Sequence, residues 1–225
     1  MSSLYVIGHL KTNGGAARDK VVAALTTVAK YSQAHEPGVL KFCVALPRAE
    51  EGDETSVFAI EEYADQNALD THMGSQPVKA LVQTFEQDST LFRAAPQIHG
   101  LASPLRPAAS FTHAGITSHA DPVVIFASVA YEAGGRARAM PQWEAQVGRA
   151  RADEPGLLSY TVLKEAEGEW VRTVEAYAGS EGVDRGNVVG EADGRQSAEG
   201  RMGEWEVVRL RIVAGYLYKE EGQRS

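Results

Sequence analysis

The chain has 225 residues, 44% hydrophobic and 23% charged, which fits one large soluble domain or two of ordinary size. Its 22 basic against 30 acidic residues leave a net charge of −8, which repels phosphate backbones and argues against nucleic acid or an anionic membrane as partner. No apolar run approaches the ~20 residues of a membrane-spanning helix, and the single cysteine, Cys43, excludes an internal disulfide or a thiolate metal cluster.

The start, MSSLYVIGHLKTN, has neither the basic region nor the long apolar run of a secretion signal, so a cytoplasmic location is the expectation. Leu4–Leu10 predicts a strand. After the Thr12-Asn13-Gly14-Gly15 turn, Val21, Val22, Leu25 and Val28 recur at helical spacing within a run from Ala16 to His35. Glu36-Pro37-Gly38 ends that run and opens an apolar segment, Val39–Leu46. The charged hairpin AEEGDETS then leads to a second strand, Val57–Tyr63. Glu61 and Glu62 sit just before Tyr63, and strand alternation predicts that one of them is merely solvated. Further on, Leu69, His72 and Met73 mark one face of a short helix. Ser75 can cap another, with Pro77 in its first turn and Val78, Leu81, Val82 and Phe85 as its apolar stripe. Gln97–Leu101 reads as a closing strand, and 102–121, with two prolines and small polar residues, as a linker.

The second half repeats this order. Val123–Tyr131 predicts a strand, Glu132-Ala133-Gly134-Gly135 a turn, and Arg136–Asp153 a helix with Trp143 and Val147 on its apolar face. Glu154-Pro155-Gly156 then precedes Leu157–Leu163. The short hairpin EAEGE leads to Trp170–Tyr177, which ends in Glu175-Ala176-Tyr177. Gly182, Gly186, Gly190, Gly194 and Gly200 weaken any helix here, and Ser180–Glu199 is expected to be less regular than its counterpart. Trp205–Tyr218 closes the copy. The pattern is α+β, two ferredoxin-like β-α-β-β-α-β repeats at 1–101 and 122–220. Their antiparallel sheets are expected to pair into an intramolecular barrel, so that one chain acts as a pseudo-dimer, with further self-association left open.

The stretch EPGVLKFCVALPR…SVFAIEEYADQNALDTHMGSQPVKALVQTF resembles the antibiotic biosynthesis monooxygenase family of dimeric α-β barrels. The second repeat is similar over Glu154-Pro155-Gly156 and Glu175-Ala176-Tyr177, but lacks the His-Met and Lys-Ala-Leu segment. The resemblance implies the fold, and a cofactor-free monooxygenase, independent of metal and flavin, that oxidises an apolar secondary metabolite with O₂. An aromatic polyketide, a quinol, an anthrone or an oxylipin-like compound is the substrate class. An isomerase, cyclase or decarboxylase on the same scaffold, or a ligand-binding protein without catalysis, are the alternatives. The haem-degrading branch needs a strand Asn, a helix Trp where His72 stands, and an axial His where Val82 stands, so it does not fit.

Among the candidate residues His72 comes first. An imidazole can take a phenol or enol proton near neutral pH, which makes the substrate electron-rich enough to react with O₂. The resemblance places it toward a pocket between helix and sheet; a helix-face His bonded to the backbone is the rival reading. Substrate contacts are expected from His9 and Tyr5, which share one face of the first strand, and from Tyr63 and Met73. Recurrence of the tyrosine at Tyr177 suits a structural role at least as well. All six histidines lie in the first half or the linker, so a single base-bearing pocket would belong to the first repeat. His113 and His119 have no further ligands at metal spacing.

Overall fold

The computed structural model describes residues 3–104, 109–113, 115–154, 156–165, 168–180, 183 and 202–219. They form two units, one of residues 1–101 with 212–225, the other of 102–211.

The first unit holds β1 (Leu4–Lys11), α1 (Gly15–His35), β2 (Val39–Pro47), β3 (Ser56–Tyr63), α2 (Gln66–Gly74), α3 (Gln76–Gln87) and the start of β4 (Gln97–Pro104). β3 runs antiparallel to both β1 and β2, and the strand order β4-β1-β3-β2 is that of a ferredoxin-like sheet. The helical spacing of Val21, Leu25 and Val28 buries one stripe of α1 against Leu10 of β1, Phe42, Val44 and Leu46 of β2, and Val57, Ala59 and Tyr63 of β3. Leu69 of α2 and Val78 of α3 complete this layer. Strand alternation sends Tyr5, Ile7 and His9 to the other face of the sheet, where all three are also buried.

The second unit repeats the plan with β6 (Val123–Tyr131), α4 (Gly135–Asp153), β7 (Leu157–Lys164), β8 (Trp170–Tyr177) and the first part of β9 (Met202–Tyr216), in the order β9-β6-β8-β7. Trp143, Val147 and Ala150 of α4 pack on Val123, Ile125, Leu157, Val162 and Val171. Within 102–121, read above as a linker, the structure places a further strand, β5 (Ser110–Thr112). It pairs with β7 and buries Phe111. The glycine-rich stretch Ser180–Glu199 falls almost wholly outside the described residues.

The duplication extends to atomic detail. Glu36 N–H donates to Ser32 O and Val39 N–H to Glu36 O, as Glu154 does to Ala150 and Leu157 to Glu154. Ala64 N–H reaches Gly38 O at 2.9 Å, and Ala178 N–H reaches Gly156 O at 2.9 Å. Each copy then shifts register, between Val39 and Lys41 in one and between Leu157 and Ser159 in the other.

β9 differs from its sequence reading at its far end. Residues from Ile212 onward belong to the first unit, lying beside β2. Gly215 makes this approach: at φ +86° it carries no Cβ, and a Cβ there would stand 1.9 Å from Phe42 O. No helix among the described residues is long and apolar enough to cross a membrane.

Candidate functional site

The Glu-Pro-Gly turn places the last residues of α1 beside α2. Asp65 caps α2, its Oδ1 accepting Ala68 N–H at 2.9 Å, and so fixes where the helix starts. The helix can come this close because residue 38 is glycine; a Cβ there would lie 2.6 Å from Ala68 Cβ. One turn further on, His72 points inward and is only 3% exposed.

His72 Nδ1 lies 2.8 Å from Glu36 Oε2 and 3.4 Å from Ser32 Oγ. Its ring packs at 5.4 Å from Tyr63 and 5.7 Å from Phe42. On the far side, Nε2 is 4.0 Å from Glu61 Oε2, and Tyr63 Oη donates to that same carboxylate. Burial raises the Glu36 carboxyl. Hydrogen bonds from His72 and Ser32, and the charges of His72 and Lys219, outweigh it, so the group ends below its ordinary 4.5. An ionised Glu36 can only accept, so Nδ1 carries the hydrogen and a neutral ring has its lone pair on Nε2. Glu61 moves the other way: burial holds its carboxyl up, Glu36 adds to this, and His72 and Tyr63 oppose it. Burial, with Glu61 and Glu36 nearby, keeps the Tyr63 phenol far above its usual range and therefore a donor. Glu36 Oε1 is buried and has no hydrogen-bond partner among the described residues. The arrangement is an oriented base flanked by an acceptor and a protonated phenol.

The five residues expected at a site do not come together. His72 and Tyr63 lie in the helix-facing layer. Tyr5 and His9 are on the opposite face of the sheet, where His9 Nε2 meets Ser56 Oγ at 2.9 Å and stacks on Phe58. Tyr5 lies under the Lys41 ammonium, 5.4 Å from the ring centroid. Met73 is 53% exposed, because the next residue on a helix turns about 100° away from the face that buries His72. Nor is either glutamate of β3 merely solvated: Glu61 belongs to the His72 cluster, and Glu62 is buried with Lys41 at 3.8 Å. Both faces of β3 are buried, and alternation predicts exposure only where one face is wet.

Sequence reading missed Glu36, taken only as a turn residue, although its recurrence as Glu154 was visible. In the second repeat Tyr177 Oη donates to Glu175 Oε2 at 2.9 Å and reaches Glu154 Oε2 at 3.5 Å, so two carboxylates and a tyrosine recur there. Gly186, the counterpart of His72 by sequence, lies outside the described residues. Lys219, whose ammonium reaches the end of α1, gave no signal at all. An open cleft of about 440 Å³ lined by Lys11, Gly52–Thr55 and Arg93 contains none of the expected residues. It sits at the Ser56 end of β3, seven residues and roughly 23 Å from Tyr63. Among the described residues no three His, Cys, Asp or Glu are grouped to hold a metal ion.

Residues 3–84 match the model of the antibiotic biosynthesis monooxygenase family, a span that includes Glu36, Glu61, Tyr63 and His72 but not Lys219. The whole chain is similar in fold to a protein of Lactobacillus acidophilus NCFM that bears a provisional monooxygenase name. The TM-score is 0.70 at 15% identity, covering 98% of this chain and 100% of the other. A Fusobacterium nucleatum protein with the same provisional name gives 0.71 at 11% identity, covering 97% and 98%. An anthrone oxidase-like protein gives 0.64 at 13%, covering 97% and 94%. At such identities the likeness is one of fold. No curated protein matches the chain.

Proposed function

The first repeat belongs to the antibiotic biosynthesis monooxygenase family, and from that premise we propose that the chain is a cofactor-independent monooxygenase whose base is His72. The observation that carries this reading is the 2.8 Å contact of His72 Nδ1 with Glu36, which leaves Nε2 as the basic atom. Substrates are apolar molecules with an acidic O–H or C–H: anthrones, quinols or aromatic polyketides. Nε2 takes that proton, and the carbanion or phenolate passes an electron to O₂. Recombination and loss of water convert an anthrone methylene to a carbonyl, so that CH₂ and O₂ give C=O and H₂O. Glu36 stabilises the imidazolium formed in the first step. Glu61, with 14% of its side chain exposed, lies 4.0 Å from Nε2, and the Tyr63 phenol donates to it.

Oxygen uptake with a model anthrone tests the reading, with EDTA present. Enzyme-dependent uptake that His72→Ala abolishes supports it. Exchange of the anthrone methylene protons in D₂O without oxygen uptake would assign the same base to an isomerase or decarboxylase instead. A second reading, a ligand-binding protein without catalysis, is favoured by the 3% exposure of His72. Its signature is ligand binding with neither exchange nor uptake.

A further inference from the structure

The turn that orients His72 is held by a residue almost two hundred positions away. At the end of β9 and just past it, Tyr216 Oη donates to Val39 O at 3.1 Å, Cys43 Sγ donates to Tyr216 O at 3.1 Å, and Lys219 N–H donates to Leu40 O at 3.1 Å. These bonds fasten the segment along β2 within the first unit. The Lys219 side chain then runs to the C-terminal end of α1. Its residue is 1% exposed, and its ammonium donates to Ser32 O at 2.7 Å and to Glu36 O. Ser32 and Glu36 are the two residues whose side chains meet His72 Nδ1.

Packing alone would be served by an apolar side chain here, since a buried ammonium is costly unless it is bonded. Its bonds are directed at two carbonyls at the C-terminus of α1, each of which accepts one backbone N–H and has a second lone pair to offer, where a positive charge also suits the helix dipole. The same charge helps keep the Glu36 carboxyl ionised. We propose that Lys219 is a positioning residue for His72: by bonding the Ser32 and Glu36 carbonyls it fixes the turn from which the Glu36 carboxylate holds the imidazole in its Nδ1–H form. Its importance for turnover rests on the reading of His72 as the base; its control of the imidazole does not.

The direct test is ¹⁵N NMR of the His72 ring in the full chain, from pH 6 to 9.5, comparing wild type with Lys219→Met and Lys219→Arg. Burial lowers the Lys219 ammonium to about 8. The titratable groups against it are Glu36, at the end of α1, and Tyr216, whose ring centroid is 5.4 Å away. Burial holds the Tyr216 phenol well above that range. Glu36 stays ionised throughout this range, so in wild type the neutral ring should keep its hydrogen on Nδ1. Lys219→Arg, whose guanidinium can still donate to both carbonyls, should keep that tautomer, and Lys219→Met, which leaves the turn unfastened, should show mixed tautomers. With a model anthrone, Lys219→Met should lower kcat about tenfold with little change in KM, and Lys219→Arg should restore most of it.

An Nδ1–H tautomer in Lys219→Met as well defined as in wild type overturns the proposal, whatever the oxygen assay gives. Tautomer loss in Lys219→Met, together with a wild type that consumes no oxygen, upholds Lys219 as the positioning residue and refutes the oxygenase reading alone. Should Lys219→Met fail to fold, Lys219→Gln decides, because its shorter neutral amide cannot fasten both carbonyls, and an Nδ1–H tautomer as well defined there as in wild type overturns the proposal.

Discussion

Glu36→Gln removes one charge from the buried cluster and almost nothing else. The amide keeps the length of the side chain, and its carbonyl oxygen can still accept His72 Nδ1–H at the 2.8 Å position of Oε2. What disappears is the charge on that bond and the partner charge for Lys219. A hydrogen bond to a charged group contributes about 1.5–3 kcal/mol, against about 1 for a neutral one, so a loss of about 1–2 kcal/mol is expected at pH 7.5. For a chain of this size that lowers Tm by roughly 2–8 °C. The folded-state carboxyl lies below its ordinary 4.5, so its stabilisation is present above that value and fades as pH falls through the folded-state value. The gap between wild type and Glu36→Gln should therefore be full at pH 7.5 and should shrink as the medium is taken below about pH 4. Thermal unfolding followed by circular dichroism at both pH values measures it. Equal stability at pH 7.5, or a gap that does not narrow in acid, would refute the account of Glu36 as an ionised partner of His72.

His72→Ala should lower kcat/KM for a model anthrone by ~10²–10⁴-fold, the usual effect of losing an acid–base group, whereas His72→Asn separates the hydrogen bond from the basicity. It should also cost about 1.5–3 kcal/mol of stability in urea unfolding, because it strips a buried carboxylate of its donor. Gly38→Ala forces a Cβ to 2.6 Å from Ala68 and should cost about 1–3 kcal/mol, while Gly156→Ala, with nothing within 4 Å, should stay within about 0.5 kcal/mol in the same assay. Gly215→Ala meets Phe42 O at 1.9 Å on a backbone with φ +86°; limited proteolysis should then cut within 212–219 faster than in wild type.

Much of the fold was legible because local chemistry repeats. A helix stop, a turn and an apolar run are written twice around Glu36 and Glu154, and both copies fold to the same hydrogen bonds. The periodicity of Val21, Leu25 and Val28 and the alternation along β1 place side chains on the correct layers. His72 was visible as an unusual residue on an apolar helix face. Its partner Glu36 was not, because an acidic residue before Pro-Gly is ordinary turn chemistry. Tyr5, His9 and Met73 were grouped with it by nearness in strand or helix, although a sheet has two faces and one helical step turns a side chain by about 100°. Lys219 was out of reach of any local pattern. Its role depends on a strand that leaves the second unit at Arg211 and ends in the first, a pairing that hydrophobic spacing does not encode.

The central claim is that an oriented His72 lets the first repeat add oxygen to an acidic, apolar substrate unaided. Mass spectrometry of anthrone turnover under ¹⁸O₂, with EDTA present, tests it most directly. The account predicts one ¹⁸O atom in the new carbonyl, formed faster than in the protein-free control and reduced to the control rate by His72→Ala. Product formed at the control rate with wild-type protein, or an unlabelled carbonyl, would contradict it.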